Sequence, residues 1–445
     1  MKLVDTRKIR QFQAMRDPMS LQASIKESNR CLLCHDAPCS QACPAGTDPA
    51  KFIRQIKFLN YKGAARTIRN NNILGTVCSF ICPVEKLCEK ACSIKALEDP
   101  IDIRGLQCFA AEYGNRFKLE PQEKSLKTKA KIAVIGCGPA GMSCAAELAK
   151  MDYDVTIFER EAKSGGVGRW NIPDFRLPGS AIDQDFQNLQ NLGVEIKFNS
   201  AIDAGDSISV LLAEGFEAIF IGCGLSSPFT LKMFEGFTNT YDYNSFLRMV
   251  KVNRESLQLQ DKSVVVIGGG SVAIDSAVSA KACGAAKVYL VFLESLEELP
   301  ADQEEIELAR TMGILFRPAS QVSAVISDGN RITGLTGCEI EWLEPGKFVP
   351  SNATQVPGTE FSLKADVVIQ AIGTSPGKEV SQLSKGMKTS GKGVIRVGET
   401  FETSIPGLFA GGDVVNGGAT VVQAVGEGKK AAVAIDHYLT GRKAI

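Results

Sequence analysis

The stretch KIAVIGCGPAGMSCAAELAKMDYDVTIFE, at residues 131–159, decides the fold of this chain. It predicts a buried strand, a glycine turn, a helix and a second strand that ends in an acid, the series typical of a dinucleotide-binding unit. Gly136 allows the tight turn, Gly138 lets the backbone approach a pyrophosphate, and Gly141 lets the helix pack close to the strand. Glu159 lies where a carboxylate can accept hydrogen bonds from a ribose.

A second unit of the same design begins at Ser263 and reads SVVVIGGGSVAIDSAVSAKACGAAKVYLVFLE. Gly268, Gly270 and Ala273 form its loop, and Glu294 is expected at the end of its second strand. Alanine in the third position is also found in NADP sites, so the loop alone does not choose the coenzyme. A carboxylate would repel a 2'-phosphate, and the next residues, SLEELPADQEE, add acids rather than Arg or Lys. These acids favour NADH over NADPH, unless they only form a solvated helix face.

A third glycine-rich segment, TSIPGLFAGGDVVNGGATVVQAVGEGKKAAVAI, lies near the C-terminus. A buried strand is expected to lead into Gly411, Gly412 and Asp413, and a helix starts soon after. The positive end of that helix dipole would suit an anionic ring such as a reduced flavin. Two further apolar runs, EAIFIGCG from residue 217 and DVVIQAIG from residue 366, predict buried parallel strands that close in a glycine turn.

Eight of the 14 cysteines fall in two short windows, CLLCHDAPCSQACP at 31–44 and CSFICPVEKLCEKAC at 78–92. The first window is close to the spacing of bacterial ferredoxins, in which the last cysteine before proline binds the other cluster. The spacing alone suggests ligands for two 4Fe-4S clusters, and zinc is the alternative. The candidate ligands are Cys31, Cys34, Cys39, Cys43, Cys78, Cys82, Cys88 and Cys92.

The composition of the chain limits the partners and the cellular location that can be expected. The chain has 445 residues, 44% of them hydrophobic, with 50 Lys plus Arg against 50 Asp plus Glu. This balance argues against nucleic acid or an anionic membrane as a partner, and the N-terminal residues resemble neither a signal peptide nor a membrane span. A cytoplasmic location is therefore expected. Thiols stay reduced there, so clustered cysteines are metal ligands or catalytic groups rather than disulfides.

The N-terminal region has a different pattern of apolar residues from the rest of the chain. Between the cysteine windows, apolar residues recur every three or four positions, which predicts short amphipathic helices and no strands. Residues 1–125 are therefore expected to form a small helical domain that depends on its metals for stability. The stretch KLEPQEKSLKTKAK, at 118–131, is polar and lysine-rich and is expected to be a linker.

The nucleotide loops, the glycine-closed strands and GLFAGGD resemble the two-dinucleotide flavoprotein family, which includes glutathione reductase, thioredoxin reductase and the small subunit of glutamate synthase. The resemblance implies an α/β fold: a helical iron–sulfur domain, then two Rossmann-like domains, with the NAD domain inserted in the FAD domain. It also implies that Asp413 contacts the FAD. The predicted segments are 1–125 for the iron–sulfur domain, 126–243 and 374–445 for the FAD domain, and 244–373 for the NAD(P)H domain.

A closer resemblance runs through NRCLLCHDAPCSQACPAGTDPAKFI, NYKGAARTIRNNN, CPVEKLCEKAC and PIDIRGLQ. These segments are similar to the dihydropyrimidine dehydrogenase family. The resemblance implies one cluster bound by Cys31, Cys34, Cys39 and Cys92. It implies a second cluster bound by Cys43, Cys82, Cys88 and Gln107. Glutamine then replaces Cys78, which spacing alone had suggested, and Cys108 is a further alternative. Glutamate synthase small subunits tend to have glutamate at the position of Gln107.

The function that this resemblance implies is electron input. NADH would reduce FAD, and two 4Fe-4S clusters would pass electrons to an FMN- and iron–sulfur-containing catalytic subunit that reduces uracil or thymine, in a heterotetramer with two copies of each chain. The segment GGVGRWNIPDFRLP, at 165–178, has no cysteine, so a disulfide exit is not expected. No residue here is expected to act as an acid or base on the pyrimidine. The alternatives are an NADPH-dependent glutamate synthase small subunit, a ferredoxin-linked oxidoreductase subunit, or a redox-sensing protein without turnover.

Overall fold

The computed structural model describes residues 5–117, 119, 122–202, 207–344 and 346–441. The chain falls into two compact units. The insert unit comprises Met1–Met15, Trp170–Arg176 and Pro228–Thr374. The main unit comprises Arg16–Arg169, Leu177–Ser227 and Ser375–Ile445. Residues 118, 120 and 121 of the expected linker lie outside the described residues, and the four segment boundaries given above remain predictions.

The N-terminal region is helical, and residues 5–117 contain no strand. Its helices are α1 (Thr6–Arg10), α2 (Leu21–Asn29), α3 (Pro38–Gln41), α4 (Pro49–Lys57), α5 (Tyr61–Asn71), α6 (Gly75–Ile81) and α7 (Ile103–Arg116). The Asp48 side chain accepts a hydrogen bond from Lys51 N and so begins α4. Phe52, Ile56 and Leu106 belong to the core of this region. Helix α1 instead belongs to the insert unit.

The main unit continues with strands that alternate with helices. The elements are β1 (Lys131–Ile135), α8 (Pro139–Lys150), β2 (Asp154–Phe158), α9 (Gly166–Trp170), α10 (Gly179–Asn191), β3 (Glu195–Lys197), α11 (Ser207–Ala213) and β4 (Phe216–Ile221). Proline begins α8, where its missing N–H is not needed and its fixed φ suits the first turn. The two-residue strand β5 (Ser227–Pro228) then leads out of the main unit.

The insert unit holds a second parallel sheet and a group of antiparallel strands. Its elements are β6 (Thr240–Asp242), α12 (Tyr243–Asn253), β7 (Ser263–Ile267), α13 (Ser271–Ala282), β8 (Lys287–Val291), α14 (Gln303–Thr311), β9 (Leu315–Arg317), β10 (Ser320–Asp328), β11 (Arg331–Trp342), β12 (Ala353–Gln355), β13 (Phe361–Lys364) and β14 (Val367–Gln370). The parallel sheet has the order β6-β14-β7-β8-β9. Strand β11 pairs antiparallel with β10, β12 and β13, an arrangement that the sequence did not predict.

The chain then returns to the main unit. The remaining elements are β15 (Thr374–Ser375), α15 (Lys378–Leu383), β16 (Leu408–Ala410), α16 (Asp413–Asn416) and α17 (Val421–Thr440). Strand β16 joins the main sheet, whose order is β16-β4-β1-β2-β3, with every pair parallel. Helix α17 starts with a capping box between Thr420 and Gln423.

The two parallel sheets place the expected ligand sites. In each sheet the strand that carries the first glycine loop is central, with β1 between β4 and β2 and β7 between β14 and β8. Ligands of such sheets bind outside the carboxyl ends of the strands at the point where the strand order reverses. The predicted fold class is confirmed: a helical region precedes two α/β sheets, and the chain comes back to complete the first. No helix within the described ranges has the length and apolar character needed to cross a membrane.

Candidate functional site

The first nucleotide loop, between β1 and α8, requires glycine at two positions. Gly136 has a φ of 97°, and a Cβ there would lie 2.8 Å from the carbonyl oxygen of Gly222. A Cβ on Gly141 would lie 1.9 Å from the carbonyl oxygen of Gly136, so helix and loop are in backbone contact. A Cβ on Gly138 would meet only Gly166 Cα, at 4.0 Å. The space beside Gly138 fits a group that approaches the backbone closely, as a pyrophosphate does.

Glu159 follows β2 and is buried beside this loop. Its Oε2 accepts a hydrogen bond from Cys137 N at 2.6 Å, and its Oε1 accepts one from Glu161 N at 2.8 Å. Each carboxylate oxygen has two lone pairs, so both oxygens can accept a further bond from a ribose hydroxyl. The carboxylate is therefore held in place before a ligand arrives.

At the C-terminal corner, Gly411 and Gly412 follow β16, and Asp413 is the first residue of α16. Asp413 Oδ1 accepts a hydrogen bond from Ala419 N at 3.1 Å, which closes the turn that precedes α17. Burial raises the pKa of the Asp413 carboxyl, and the bond from Ala419 opposes that rise. The corner lies in the same unit as the first nucleotide loop: a Cβ on Gly412 would lie 3.0 Å from Ala140 Cβ of α8.

Glu427, on α17, belongs to this corner although sequence reasoning did not select it. Its Oε2 accepts a hydrogen bond from Gly412 N at 2.6 Å, and its Oε1 accepts one from Asn416 Nδ2 at 3.0 Å. The side chain thus ties α17 to the turn after β16. No local motif marks it, because the contact depends on how the strand and the helix meet in space.

The second nucleotide loop, between β7 and α13, has a similar backbone and more room. Gly268 has a φ of 130°, and a Cβ there would lie 2.2 Å from the carbonyl oxygen of Ala371. Nothing lies within 4 Å of a Cβ built on Gly270. Ala273, in the third position, is fully buried, whereas the first unit has Gly141 at the equivalent place.

Glu294 does not end a strand, contrary to the sequence-based expectation. Strand β8 stops at Val291, and Phe292 continues into the core of the insert unit. The chain therefore turns before it reaches the acid, where the Glu294 carbonyl accepts a hydrogen bond from Ala319 N at 2.8 Å. The carboxylate still reaches the loop: Oε2 lies 2.9 Å from the position of a Cβ on Gly269.

Four cysteines from both windows come together as the outer group: Cys31, Cys34, Cys39 and Cys92. Burial raises the pKa of Cys39 to about 11, and ionised Cys92, Cys31 and Cys34 would raise it further. Burial also raises the pKa of Cys31, with Cys92 and Cys34 again as neighbours. Cys34 Sγ lies 3.4 Å from the hydroxyl of Ser93, the residue after Cys92. Neighbouring thiolates repel each other, and iron stabilises the thiolate form when it binds them.

The other four cysteines form the inner group: Cys43, Cys78, Cys82 and Cys88. Burial raises the pKa of Cys78 to about 12, and ionised Cys43 adds to the rise. Burial also raises the pKa values of Cys82 and Cys88, and Cys43 is a charged neighbour of both. Thr47 N donates to Cys43 Sγ at 3.4 Å. The inner group is more deeply buried than the outer one.

Gln107, on α7, lies against the helix that carries Cys78. Its Nε2 donates to the carbonyl of Gly75 at 2.7 Å, so Oε1 is the amide atom left to bind a metal. Gln107 is thus hydrogen-bonded to the first residue of α6, the helix that carries Cys78. Cys108 is hydrogen-bonded to Ser79.

Among the residues that the structure describes, no three His, Cys, Asp or Glu side chains are arranged around a single metal ion. The thiolates of a 4Fe-4S cluster each bind a different iron, so such a site does not require that arrangement. The thiols of both groups are the donors that iron–sulfur clusters use.

Two sequence models of known families match this chain. The model described as pyridine nucleotide-disulphide oxidoreductase matches residues 130–428. The model described as dihydropyrimidine dehydrogenase domain II, 4Fe-4S cluster, matches residues 8–118. These families confirm the predicted classes of cofactor, which are FAD, a nicotinamide coenzyme and 4Fe-4S clusters.

Solved structures support the fold of the nucleotide-binding part. T. acidophilum thioredoxin reductase is 19% identical with a TM-score of 0.53, and it covers 71% of this chain and 100% of its own length. FprA of Mycobacterium tuberculosis in complex with NADPH is 15% identical with a TM-score of 0.58, covering 70% of this chain and 85% of its own length. Identities this low show the fold alone.

Curated relatives align over nearly the whole chain. The NAD-dependent dihydropyrimidine dehydrogenase subunit PreT of Escherichia coli (strain K12) is 39% identical over 418 residues, which is 94% of this chain and 95% of the relative. The PreT homolog of Salmonella typhi is 38% identical over 416 residues, 94% of each chain. The chain therefore belongs to the PreT family of NAD-dependent dihydropyrimidine dehydrogenase subunits, within the pyridine nucleotide-disulphide oxidoreductases.

Proposed function

We propose that this chain is the electron-input subunit of an NAD-dependent dihydropyrimidine dehydrogenase. The observation that carries the proposal is that the first nucleotide loop and both groups of cysteines lie in one compact unit. When bound, FAD converts the two electrons of a hydride from NADH into single electrons, and 4Fe-4S clusters carry these onward.

The chain's own residues would hold FAD at the first loop. The backbone beside Gly138 would bind the pyrophosphate, and the fixed carboxylate of Glu159 would bind the ribose. The corner at Gly411, Gly412 and Asp413 would contact the ribityl and pyrophosphate region. The backbone contact between Gly141 and Gly136 keeps the N-terminus of α8 directed at the phosphates. These residues bind and orient the cofactor, and none of them transfers a proton to a substrate.

The second loop would hold NADH. Gly268 would make the tight turn, Gly270 would leave the backbone open to the pyrophosphate, and Ala273 would close the contact between α13 and β7. The Glu294 carboxylate, which reaches back to this loop, would repel the 2'-phosphate of NADPH and accept hydrogen bonds from the ribose of NADH. This arrangement supports NADH as the coenzyme, in agreement with the names of the relatives.

Two clusters would be bound by the two groups of cysteines. We assign Cys31, Cys34, Cys39 and Cys92 to the outer cluster. We assign Cys43, Cys82, Cys88 and Gln107 to the inner cluster. Cys78 is then a buried neighbour of the inner cluster, with its thiol hydrogen-bonded by Asn72 Nδ2 at 3.4 Å.

Iron analysis tests this ligand assignment. We expect Gln107→Leu to lower the iron content or destabilise one cluster, while Cys78→Ser keeps about eight irons per chain. The measurement is iron per chain, with the EPR spectrum of the reduced protein, after anaerobic reconstitution. Loss of half the iron from Cys78→Ser, together with full iron in Gln107→Leu, would show that the fourth ligand is Cys78.

The pyrimidine chemistry would occur on a partner. We propose an FMN- and iron–sulfur-containing catalytic subunit that reduces uracil or thymine to the 5,6-dihydro products, in a heterotetramer with two copies of each chain. The test is copurification of such a partner with this chain, followed by an assay of uracil reduction with NADH. An FMN partner without that activity would contradict the proposed substrate, and a strong preference for NADPH would favour a glutamate synthase type of subunit.

A further inference from the structure

The C-terminal end of α5 is capped by lysines from two helices of the flavin-binding part. The last carbonyls of an α-helix have no partner within the helix. Lys429 Nζ, on α17, donates to the carbonyl of Asn71 at 2.5 Å and to that of Ala45 at 2.7 Å. Lys150 Nζ, on α8, donates to the carbonyl of Asn70 at 2.9 Å. Ammonium groups at this end also complement the helix dipole.

Each of the two carbonyls that Lys429 binds lies in or beside a segment that donates a hydrogen bond to a sulfur atom of the inner group. Ala45 lies two residues after Cys43, in the loop whose Thr47 N donates to Cys43 Sγ at 3.4 Å. Asn72 directly follows α5, and its Nδ2 donates to Cys78 Sγ at 3.4 Å and to Thr47 Oγ1 at 3.1 Å. Lys429 therefore fixes both backbone segments that supply hydrogen bonds to these sulfurs.

The same helix also holds the C-terminal corner at Gly411, Gly412 and Asp413, where we propose that FAD binds. Glu427, two residues before Lys429, accepts the hydrogen bond of Gly412 N at 2.6 Å. A Cβ on Gly426 would lie 2.4 Å from the carbonyl oxygen of Pro44, so α17 touches the Cys43 loop with its backbone. Over four consecutive residues, α17 thus joins the C-terminal corner to the loop that contains Cys43.

We propose that Lys429 is a positioning residue for electron transfer: it fixes the Cys43 loop and the end of α5 against α17, and its charge raises the reduction potential of the cluster bound by the inner group. The proposal rests on the proposed function, because it concerns the cluster assigned there. A cluster gains negative charge when it is reduced, and a nearby cation that is partly shielded from water stabilises the reduced form. The outer group contains none of the segments that Lys429 binds.

The test compares Lys429→Met with Lys429→Arg in the full chain after anaerobic reconstitution. Lys430→Met is the matched control, since Lys430 is the exposed neighbour on the same helix. The measurement is an EPR-monitored redox titration of both clusters. In Lys429→Met we expect the ratio of reduced to oxidised inner cluster at a fixed potential to fall about tenfold, which is about 59 mV for a one-electron couple. The outer cluster is expected to keep its potential. In Lys429→Arg we expect the inner cluster to keep most of its wild-type potential, because the charge remains.

A second readout needs no metal. Amide hydrogen exchange of the metal-free chain at residues 45–47 and 72–74 is expected to be faster in Lys429→Met than in Lys430→Met, because two carbonyls lose their donor. If Lys429→Met does not fold, Lys429→Gln replaces it, since glutamine keeps an N–H donor and removes the charge. Loss of the inner iron alone from the methionine variant, with full iron in the arginine variant, would also support the proposal.

Three results would overturn the proposal: unchanged cluster potentials in Lys429→Met, equal shifts of both clusters, or a shift in Lys429→Arg as large as that in Lys429→Met. Each of these is distinct from failure of the proposed function, which would appear in the wild-type chain as missing clusters or as clusters that NADH cannot reduce.

Discussion

The first nucleotide-binding loop contacts the helix that follows it more closely than the second loop does. A Cβ on Gly141 would overlap the carbonyl oxygen of Gly136 at 1.9 Å, whereas Ala273 carries a Cβ at the equivalent place. Glu159 is locked by two backbone hydrogen bonds, whereas Glu294 lies beyond the end of its strand. We expect the first loop, with its fixed acid, to keep its cofactor bound and the second loop to exchange its coenzyme.

The helices that follow the two loops are also held differently. In α8 the buried Ser143 hydroxyl donates to the carbonyl of Val425 at 2.8 Å. In α13 the equivalent residue is Asp275, which accepts a hydrogen bond from Arg176 at 2.7 Å. Arg176 also pairs with Glu305, so two buried carboxyl groups share one guanidinium. A neutral bond thus anchors the first helix, and a charged group anchors the second.

The largest effect is expected from Gly141→Ala. The added Cβ must push α8 away from the loop, which we expect to cost about 1–3 kcal/mol of stability and to leave the purified protein almost free of flavin. The measurements are the flavin-to-protein ratio and the Tm. Gly391→Ala is the control, since nothing lies within 4 Å of a Cβ there. A fully flavinated Gly141→Ala protein would refute the closer contact between the first loop and α8.

Glu159→Gln tests whether the locked acid binds the flavin. Glutamine cannot accept both backbone hydrogen bonds and carries no charge, so we expect the flavin Kd to rise about 10- to 100-fold, as for a loss of about 1.5–3 kcal/mol. The measurement is flavin binding to the apoprotein by fluorescence. Glu294→Gln should leave this Kd unchanged. Equal flavin Kd values for the wild-type chain and Glu159→Gln would mean that Glu159 does not bind the ribose.

The charged anchor of α13 predicts a pH dependence that α8 lacks. Burial, partly opposed by Arg176, raises the pKa of Asp275 from 3.8 to about 7. A raised carboxyl pKa stabilises the fold where the group is protonated in both states, below about pH 4, and this contribution disappears as the pH rises through 7. Between pH 4 and 7 the wild type should therefore lose stability relative to Asp275→Asn.

Unfolding of both proteins by denaturant at several pH values checks this prediction. Ser143→Ala is the counterpart in the first unit, where we expect a constant loss of about 0.5–1.5 kcal/mol at every pH. Parallel pH profiles for the wild type and Asp275→Asn would mean that Asp275 stays ionised throughout.

The smallest effect is expected from Glu294→Gln. Removing the carboxylate near the second loop should raise kcat/KM for NADPH by about three- to tenfold, or about 0.6–1.4 kcal/mol, while NADH changes less. Steady-state reduction of an artificial acceptor with each coenzyme measures the ratio. Glu297→Gln, an exposed acid three residues further on, should not change it. If both variants shift the ratio equally, general surface charge and not Glu294 selects the coenzyme.

The sequence predicts what depends on local spacing. Gly136, Gly138 and Gly141 could be found because each follows a strand at a fixed distance, and the cysteine windows stand out for the same reason. Glu294 shows the limit of this reasoning: spacing placed it at the end of a strand, but β8 ends at Val291, and the chain then packs against the segment after β9, where Ala319 N donates to the Glu294 carbonyl. Whether an acid ends a strand depends on such packing.

Contacts between distant segments could not be predicted. The Glu427 carboxylate accepts a hydrogen bond from Gly412 N, which lies 15 residues earlier in the sequence. Lys429 donates to carbonyls more than 350 residues earlier. Neither belongs to a motif, because the approach of α17 to the Cys43 loop exists only in the folded unit. The same holds for α1, whose Ile9 lies in the core of the insert unit although its sequence adjoins the cysteine windows.

Anaerobic titration of the reconstituted chain with NADH tests the central claim most directly. Flavin absorbance and the EPR signals of the metal centres are recorded together as NADH is added. The account predicts that the flavin bleaches, that iron–sulfur signals then appear, and that the electrons leave singly to an added acceptor. A flavin that bleaches while the iron centres never become reduced, or zinc found in place of iron, would contradict it.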